Sequence, residues 1–242
     1  MPRALAPVRE AARKQSPLDA ALTEQILATR FEHVPQRLGA ALRTWPLEEA
    51  AVLDVGCSYG TCLVHFGAGS VGIDNHDKCV AFAQAIGLDA RQVDVEDPDR
   101  IAAIPDGVFD YLWVSDVLEH LEAPRLLLRR LSSKIKPGGS LLLQLSVLPH
   151  GHLSRRVFRR IGERPFDAEV HYHQWTSDTV QHLLARAGYR TVRVVPLLPA
   201  RLAPLASILP ASAVSRLIVE GARDDALTER ADRAVARNRR QT

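Results

Sequence analysis

Aromatic residues are scarce in this chain of 242 residues, since phenylalanine, tryptophan and tyrosine together make up only 5% of it. Proteins that bind unpaired RNA bases usually stack them on aromatic side chains. The formal net charge of +3 is also too small to indicate a nucleic-acid-binding surface by itself. Nucleic acid is therefore disfavoured as a partner, and the arginine-rich stretches at 155–164 and 230–240 are interpreted first as solvated helix faces.

Cysteine is equally rare. The three cysteines Cys57, Cys62 and Cys79 are an odd number, and no two of them have C-x-x-C spacing. This pattern argues against a disulfide framework. The first residues also lack an apolar stretch of the length that a signal peptide needs. We therefore expect reduced thiols and a cytoplasmic location.

Long apolar runs are absent as well. The longest candidate, at 197–209, is interrupted by Pro199, Arg201 and Pro204. A membrane-spanning helix needs about 20 consecutive apolar residues. The sequence thus predicts no transmembrane segment, although this stretch is compatible with contact at a membrane surface or with a wall over a pocket.

Short apolar runs alternate with helix-like segments along the rest of the chain. Strands are predicted at 51–55, 70–74, 90–94, 109–115, 140–146, 189–195 and 214–222. Helices are predicted at 18–44, 60–66, 76–86, 97–104, 124–135 and 176–187. This order predicts an α/β fold that is Rossmann-like and doubly wound, with a mainly parallel seven-stranded sheet and helices on both faces.

A glycine-rich turn, Gly56-Cys-Ser58-Tyr-Gly60, follows the first predicted strand and suits close approach of a ligand to the backbone. It matches the dinucleotide pattern G-x-G-x-x-G poorly, because Ser58 replaces the second glycine. It also spells the G-x-S-x-G elbow of hydrolases. That elbow normally follows several earlier strands, whereas here it follows the first.

The segment Val52–Gly60 resembles the first motif of class I S-adenosylmethionine-dependent methyltransferases, with Ser58 where a glycine is commoner. The second strand and Asp74, the third strand and Asp94, the segment 105–120 and the turn 136–139 resemble that family's later motifs in order. The resemblance covers residues 51–146 in register and 170–195 more loosely.

The resemblance implies that S-adenosylmethionine is the cofactor and that it binds at the carboxyl ends of the first three strands. Asp74 would accept hydrogen bonds from the ribose hydroxyls, Asp94 would accept from the adenine amine, and the Val95 amide would donate to the ring. A helix-capping role for Asp74 or Asn75 is the structural alternative. The implied cofactor-binding residues are Asp54, Gly56, Cys57, Ser58, Gly60, Asp74, Asn75, Asp94, Val95 and Ser115.

Two acids and two histidines downstream are candidates for the chemistry. Asp116, Glu119, His120 and His171 resemble the metal motif of small-RNA 2′-O-methyltransferases, which implies a divalent ion such as Mg²⁺, Mn²⁺ or Zn²⁺. The same pattern resembles small-molecule O-methyltransferases of the ubiquinone pathway, which implies His120 or His171 as a general base without a metal. In the third interpretation Glu119 and His120 only shape the turn after the fourth strand.

On this resemblance the chain divides into an N-terminal helical cap at 1–45, a methyltransferase domain at 46–222 with a substrate-lid insertion at about 148–172, and a basic tail at 223–242. The favoured function is O-methylation of a small or lipid-like biosynthetic metabolite, with N-methylation next. Metal-assisted RNA 2′-O-methylation and a non-catalytic protein that binds S-adenosylmethionine as a partner are the alternatives. The sequence does not specify the methyl acceptor or the oligomeric state.

Overall fold

The computed structural model describes residues 5–32, 36–149, 171–198 and 210–239. Within these ranges seven strands form one sheet with the order β3-β2-β1-β4-β5-β7-β6. The strands are β1 (Val52–Val55), β2 (Val71–Asp74), β3 (Ala90–Gln92), β4 (Phe109–Ser115), β5 (Ile135–Ser146), β6 (Tyr189–Leu197) and β7 (Arg216–Arg223). The α-helices are α1 (Ala6–Gln15), α2 (Ala20–Arg30), α3 (Gln36–Thr44), α4 (Asp77–Ala85), α5 (Pro98–Ala102), α6 (Pro124–Leu131), α7 (Ser177–Ala187) and α8 (Asp225–Arg239).

The sheet confirms the predicted α/β class with a mainly parallel, seven-stranded sheet. Strand β1 is central: it pairs in parallel with β2 on one side and with β4 on the other. Its four residues are all buried, as a strand covered by helices on both faces requires. Strand β7 runs antiparallel between β5 and β6.

Three predicted helices differ from the structure. The helix expected at 18–44 is divided into α2 and α3, the helix expected at 97–104 is limited to α5, and the segment 60–66 contains only a short 3-10 helix at Leu63–His65. The last difference has a local cause. Residues 62–66 are buried throughout, so they offer no polar face, and Gly67 packs so closely on Ala50 that a Cβ would lie 2.6 Å from its backbone nitrogen.

The core is divided by the sheet. Successive strand residues point to opposite faces, so Leu53 and Val55 belong to one apolar cluster while Val52 belongs to the other. A third cluster joins the N-terminal helices to α4, where Phe31 lies 6.0 Å from Phe82 between ring centroids. The N-terminal helices are thereby fixed next to the turn that follows β1.

Residues 150–170 and 199–209 lie outside the described residues. They hold most of the predicted lid insertion and of the proline-interrupted stretch, and the division of the chain into cap, domain and tail stays a prediction. No helix among the described residues is both long enough and apolar enough to cross a membrane.

Tyr189 joins the start of β6 to the end of α6. Its side chain is fully buried, and its hydroxyl donates to the Leu128 carbonyl at 2.9 Å. Leu128 is in the last turn of its helix, where carbonyls have no partner within the helix. Burial raises the pKa of the Tyr189 phenol above its usual range, so the hydroxyl stays protonated and remains a donor.

We expect Tyr189→Phe to lower the free energy of unfolding by about 1 kcal/mol, because it removes the donor from a buried carbonyl. Urea unfolding followed by circular dichroism measures the change. Tyr172→Phe is the matched control, since Tyr172 is 71% exposed, and it should leave the unfolding midpoint unchanged. Equal stability of Tyr189→Phe and the unaltered protein would contradict a stabilising role for this hydroxyl.

Candidate active site

A cavity of about 590 Å³ opens at the carboxyl edge of the sheet, at the ends of β1, β2 and β4. Ligands in open α/β sheets usually bind at this edge. The residues that line it are Gly56, Ser58, Asp74, Asn75, His76, Cys79, Val93, Val95, Asp116, Val117, His120 and Leu121.

The turn after β1 forms one wall of the cavity. Gly56, Ser58 and Gly60 have φ values of +75°, +49° and +81°. A side chain at Gly56 would also lie 2.5 Å from a methyl carbon of Val117, so only glycine fits there. Ser58 adopts the left-handed conformation without being glycine, and its amide is held by a hydrogen bond to Asp74 at 2.9 Å.

Asp74 links the turn after β1 to the end of β2. Its Oδ2 accepts from the Ser58 amide and its Oδ1 accepts from the His76 amide, both at 2.9 Å. The N-cap of α4 is His76, so neither Asp74 nor Asn75 is the cap residue. Each carboxylate oxygen has a second lone pair, and the Asp74 side chain therefore keeps two acceptor sites at the cavity.

The predicted cofactor-binding residues divide into two groups. Gly56, Ser58, Asp74, Asn75 and Val95 line the cavity, whereas Asp54, Cys57, Gly60, Asp94 and Ser115 do not. Asp54 and Cys57 are 2% and 4% exposed, so both residues are buried. The Asp94 carboxylate accepts from the Glu96 amide at 2.9 Å, and Ser115 donates to Gln144.

Several cavity residues were missed by the sequence-based prediction. His76 is the N-cap of α4 and Cys79 follows three positions later in its first turn. Residues at this spacing lie close together at a helix start, and the spacing could have identified them. Burial raises the pKa of the Cys79 thiol. Val93, Val117 and Leu121 supply apolar wall, and no pattern in the sequence separates them from ordinary core residues.

Glu119 and His120 lie close to His171, although His171 follows them by about fifty residues along the chain. One potential ligand atom from each lies within 4.8 Å of the others. The two imidazole rings are edge-to-face, with centroids 4.8 Å apart. Glu119 is buried, His171 is half-buried and His120 is exposed at the cavity.

Backbone hydrogen bonds bring the two segments together. The amides of Tyr172 and His173 donate to the Glu119 carbonyl at 2.8 and 3.3 Å. A ring nitrogen of His173 makes a 2.9 Å hydrogen bond with the Leu121 carbonyl, and the same ring stacks on Trp175. His173 thus holds the segment in place, and His171 is the histidine that approaches His120.

Asp116, the fourth predicted metal ligand, is not in that group among the described residues. It lines the cavity closer to β1, it has a φ of +51°, and its carboxylate accepts from Gln144 at 3.2 Å. In an α-helical turn the spacing of Asp116, Glu119 and His120 would place all three on one face. The turn after β4 is a 3-10 helix at Leu118–His120, so this arrangement is not formed.

Known proteins with similar sequences are methyltransferases. A family described as methyltransferase domain matches residues 26–194. The ubiquinone biosynthesis O-methyltransferase of Xanthomonas campestris pv. campestris (strain B100) is 35% identical over 115 residues, which are 45% of this chain and 48% of that protein. The chain thus spans about half the length of the curated relatives it matches.

Two solved structures share the fold. The S-adenosylmethionine-dependent methyltransferase from Mesorhizobium loti superimposes with a TM-score of 0.57 at 18% identity, over 78% of this chain and 98% of that one. The Burkholderia thailandensis 1,6-didemethyltoxoflavin-N1-methyltransferase, solved with S-adenosylhomocysteine, gives a TM-score of 0.54 at 17% identity, over 93% and 92% of the two chains.

The family match covers most of the chain, and it agrees with the strand order, with the glycine turn after β1 and with Asp74 at the end of β2. The chain belongs to the class I S-adenosylmethionine-dependent methyltransferases.

Proposed function

We propose that this protein transfers the methyl group of S-adenosylmethionine to a hydroxyl group of a small or lipid-like metabolite. One observation carries the proposal: a single cavity contains both the Asp74 carboxylate beside the glycine turn and the His120 imidazole. The cofactor end and the proton-accepting end of a methyl transfer would thus lie in one cavity.

The cofactor would extend across the strand ends in the order of the sheet. Val93 and Val95, which follow β3, supply apolar contacts suited to the adenine ring. Asp74 has acceptor sites left for the two ribose hydroxyls. Gly56 allows the remaining part of the cofactor to cross close to the backbone after β1.

Methyl transfer to a hydroxyl needs an acceptor oxygen in line with the carbon–sulfur bond and a base for its proton. The oxygen–carbon bond forms as the carbon–sulfur bond breaks, and S-adenosylhomocysteine leaves. The proton passes to an imidazole. His120 at the cavity, with His171 beside it, supports this role, and the buried Glu119 lies close enough to orient either ring.

A small acceptor is favoured by the cavity and by the relatives. The volume of about 590 Å³ lies within the range of about 300–1,000 Å³ that is typical of small-molecule sites. The O-methyltransferase relatives act in ubiquinone biosynthesis by name, and they match 45% of this chain. Both points support a metabolite over a macromolecule.

Asp74→Ala is expected to weaken binding of S-adenosylhomocysteine at least about tenfold. Hydrogen bonds to a charged group contribute about 1.5–3 kcal/mol, and about 1.4 kcal/mol corresponds to tenfold in affinity. Isothermal titration calorimetry measures the change. Asp77→Ala is the control, because this exposed carboxylate lies three residues away and does not line the cavity. Unchanged affinity in Asp74→Ala would refute the ribose assignment.

His120→Ala is expected to lower kcat by roughly 10²–10⁴-fold, the contribution of a general base, while leaving affinity for S-adenosylhomocysteine unchanged. Release of labelled product from a pool of metabolites, with labelled S-adenosylmethionine, identifies an acceptor and then measures turnover. His171→Ala tests the second imidazole, and His182→Ala on the exposed side of α7 is the control. Full turnover in both His120→Ala and His171→Ala would exclude a histidine base.

The same histidines support a second candidate function, metal-assisted 2′-O-methylation of RNA. Glu119, His120 and His171 are a carboxylate and two imidazoles, a donor set suited to Zn²⁺ or Mn²⁺, with ligand atoms within 4.8 Å of one another. A bound ion would polarise the acceptor hydroxyl there. The scarcity of aromatic residues argues against an RNA-stacking surface, so this candidate ranks second.

Under this second candidate, Zn²⁺ or Mn²⁺ binds stoichiometrically and His171→Ala abolishes the binding, as measured by elemental analysis and calorimetry. A chelator stops turnover, and added Mg²⁺, Mn²⁺ or Zn²⁺ restores it. Turnover that is indifferent to the chelator rejects the metal role. A single-stranded RNA acceptor would show a steep fall in affinity with salt, whereas a neutral metabolite would not.

A further inference from the structure

Gln144 is an unusual residue for its position on β5. It is fully buried, and its neighbours Leu143 and Leu145 on the strand are core residues. A buried amide is unfavourable unless its donors and acceptors are paired. The hydrogen bonds of Gln144 therefore indicate what this polar side chain does in the core.

Both ends of the Gln144 amide are assigned by its neighbours on β4. The Ser115 hydroxyl donates to Gln144 Oε1 at 2.5 Å, and Gln144 Nε2 donates to Asp116 Oδ1 at 3.2 Å. The backbone is also paired, because the Asp116 amide donates to the Gln144 carbonyl at 3.0 Å. Since a carboxylate only accepts, the amide nitrogen must face Asp116, and the orientation of the Gln144 side chain is fixed.

Asp116 is the point where this network reaches the cavity. It has a φ of +51°, a left-handed conformation that is uncommon outside glycine and that Asp and Asn adopt more often than other residues. It lines the cavity, and it is absent from the Glu119, His120 and His171 group among the described residues. Its carboxylate therefore needs a role other than the one the sequence suggested.

The neighbourhood of Asp116 defines what it would meet. Val114 pairs with Val55, so β4 ends beside β1, and Val117 packs against Gly56. A cofactor whose ribose lies at Asp74 and which crosses Gly56 brings its amino-acid end, with a positively charged ammonium group, to this corner. A carboxylate held there provides the complementary charge.

We propose that Gln144 is a positioning residue whose amide holds the Asp116 carboxylate toward the cavity, where Asp116 binds the ammonium group of the cofactor. This inference rests on the proposed function, because it requires the cofactor to occupy the cavity. It replaces the metal-ligand role for Asp116 with a cofactor-binding role. The buried hydrogen bonds from Ser115 through Gln144 to Asp116 would then serve to orient a cofactor-binding carboxylate.

The test compares two ligands that differ only in the amino-acid end. S-adenosylhomocysteine carries the ammonium group, whereas 5′-methylthioadenosine lacks it. Asp116→Asn keeps the side-chain shape and tolerates the left-handed backbone, and we expect it to weaken binding of S-adenosylhomocysteine about tenfold or more. Gln144→Met keeps the volume and removes the amide, and it should weaken the same binding about three- to tenfold. Neither variant should change the affinity for 5′-methylthioadenosine.

Two further variants separate positioning from general stability. Gln144→Glu keeps the acceptor for Ser115 but places a second acidic group next to Asp116. It should therefore weaken binding of S-adenosylhomocysteine at least as much as Gln144→Met does. Ser140→Ala removes a partly buried hydrogen bond to Glu220 from the middle of β5, and it should leave both affinities unchanged. In the double variant, Gln144→Met should add nothing to the loss caused by Asp116→Asn.

The outcomes distinguish this inference from the proposed function. An unaltered protein that binds neither nucleoside would refute the proposed function itself. Binding of S-adenosylhomocysteine that survives Asp116→Asn, or a loss that is equal for both ligands, would overturn the inference alone. If Gln144→Met does not fold, Asp116→Asn and the ligand comparison still decide the question.

Discussion

The parallel register of β1 with β2 and β4 is the constraint on which the site depends. It aligns Val55 with Ile73 and with Val114, so the carboxyl ends of the three strands reach the same edge. At this edge Gly56 follows β1, Asp74 ends β2 and Asp116 follows β4. The amides of Gly56 and Cys57 donate to the Ile73 carbonyl of β2, and the next amide, that of Ser58, donates to the Asp74 carboxylate at the end of the same strand. A shift of one residue in this register would move Asp74 away from the turn.

The parts that the sequence predicts well are those with a local cause. Strands β1, β2 and β4 are short apolar runs that end beside glycine or at a polar residue, and their positions follow from the pattern. The apolar part of β5 was predicted at 140–146, but the strand begins earlier, at Ile135, through the segment expected to be a turn. The two glycines of the turn at 56–60 predict its left-handed backbone. Asp74 and Asn75 at the cavity could likewise be predicted, because the end of a buried parallel strand is where a polar residue reaches a ligand.

The parts that were not predicted have long-range causes. Gln144 looks like a polar interruption of an apolar strand, and its partners on β4 become visible only when the two strands pair. The separation of Asp116 from Glu119 and His120 follows from a left-handed residue that is not glycine and from a 3-10 helix in place of an α-helical turn. His173 has a structural role that the sequence did not reveal, because a carbonyl 52 positions earlier in the sequence lies at its ring nitrogen.

Tyr59 gives the turn after β1 a connection to a distant part of the chain. Its ring meets Phe82 of α4 edge-to-face at 5.5 Å, and Phe82 in turn contacts Phe31 at the end of α2. The cofactor-facing turn and the N-terminal helices therefore share one apolar cluster. By thermodynamic linkage, a ligand that binds only the ordered turn also opposes opening of those helices, by RT ln(1 + [L]/Kd) for local openings that disrupt the turn. Occupancy of the cavity would thus be registered as slower amide exchange in α1 and α2, which do not line it.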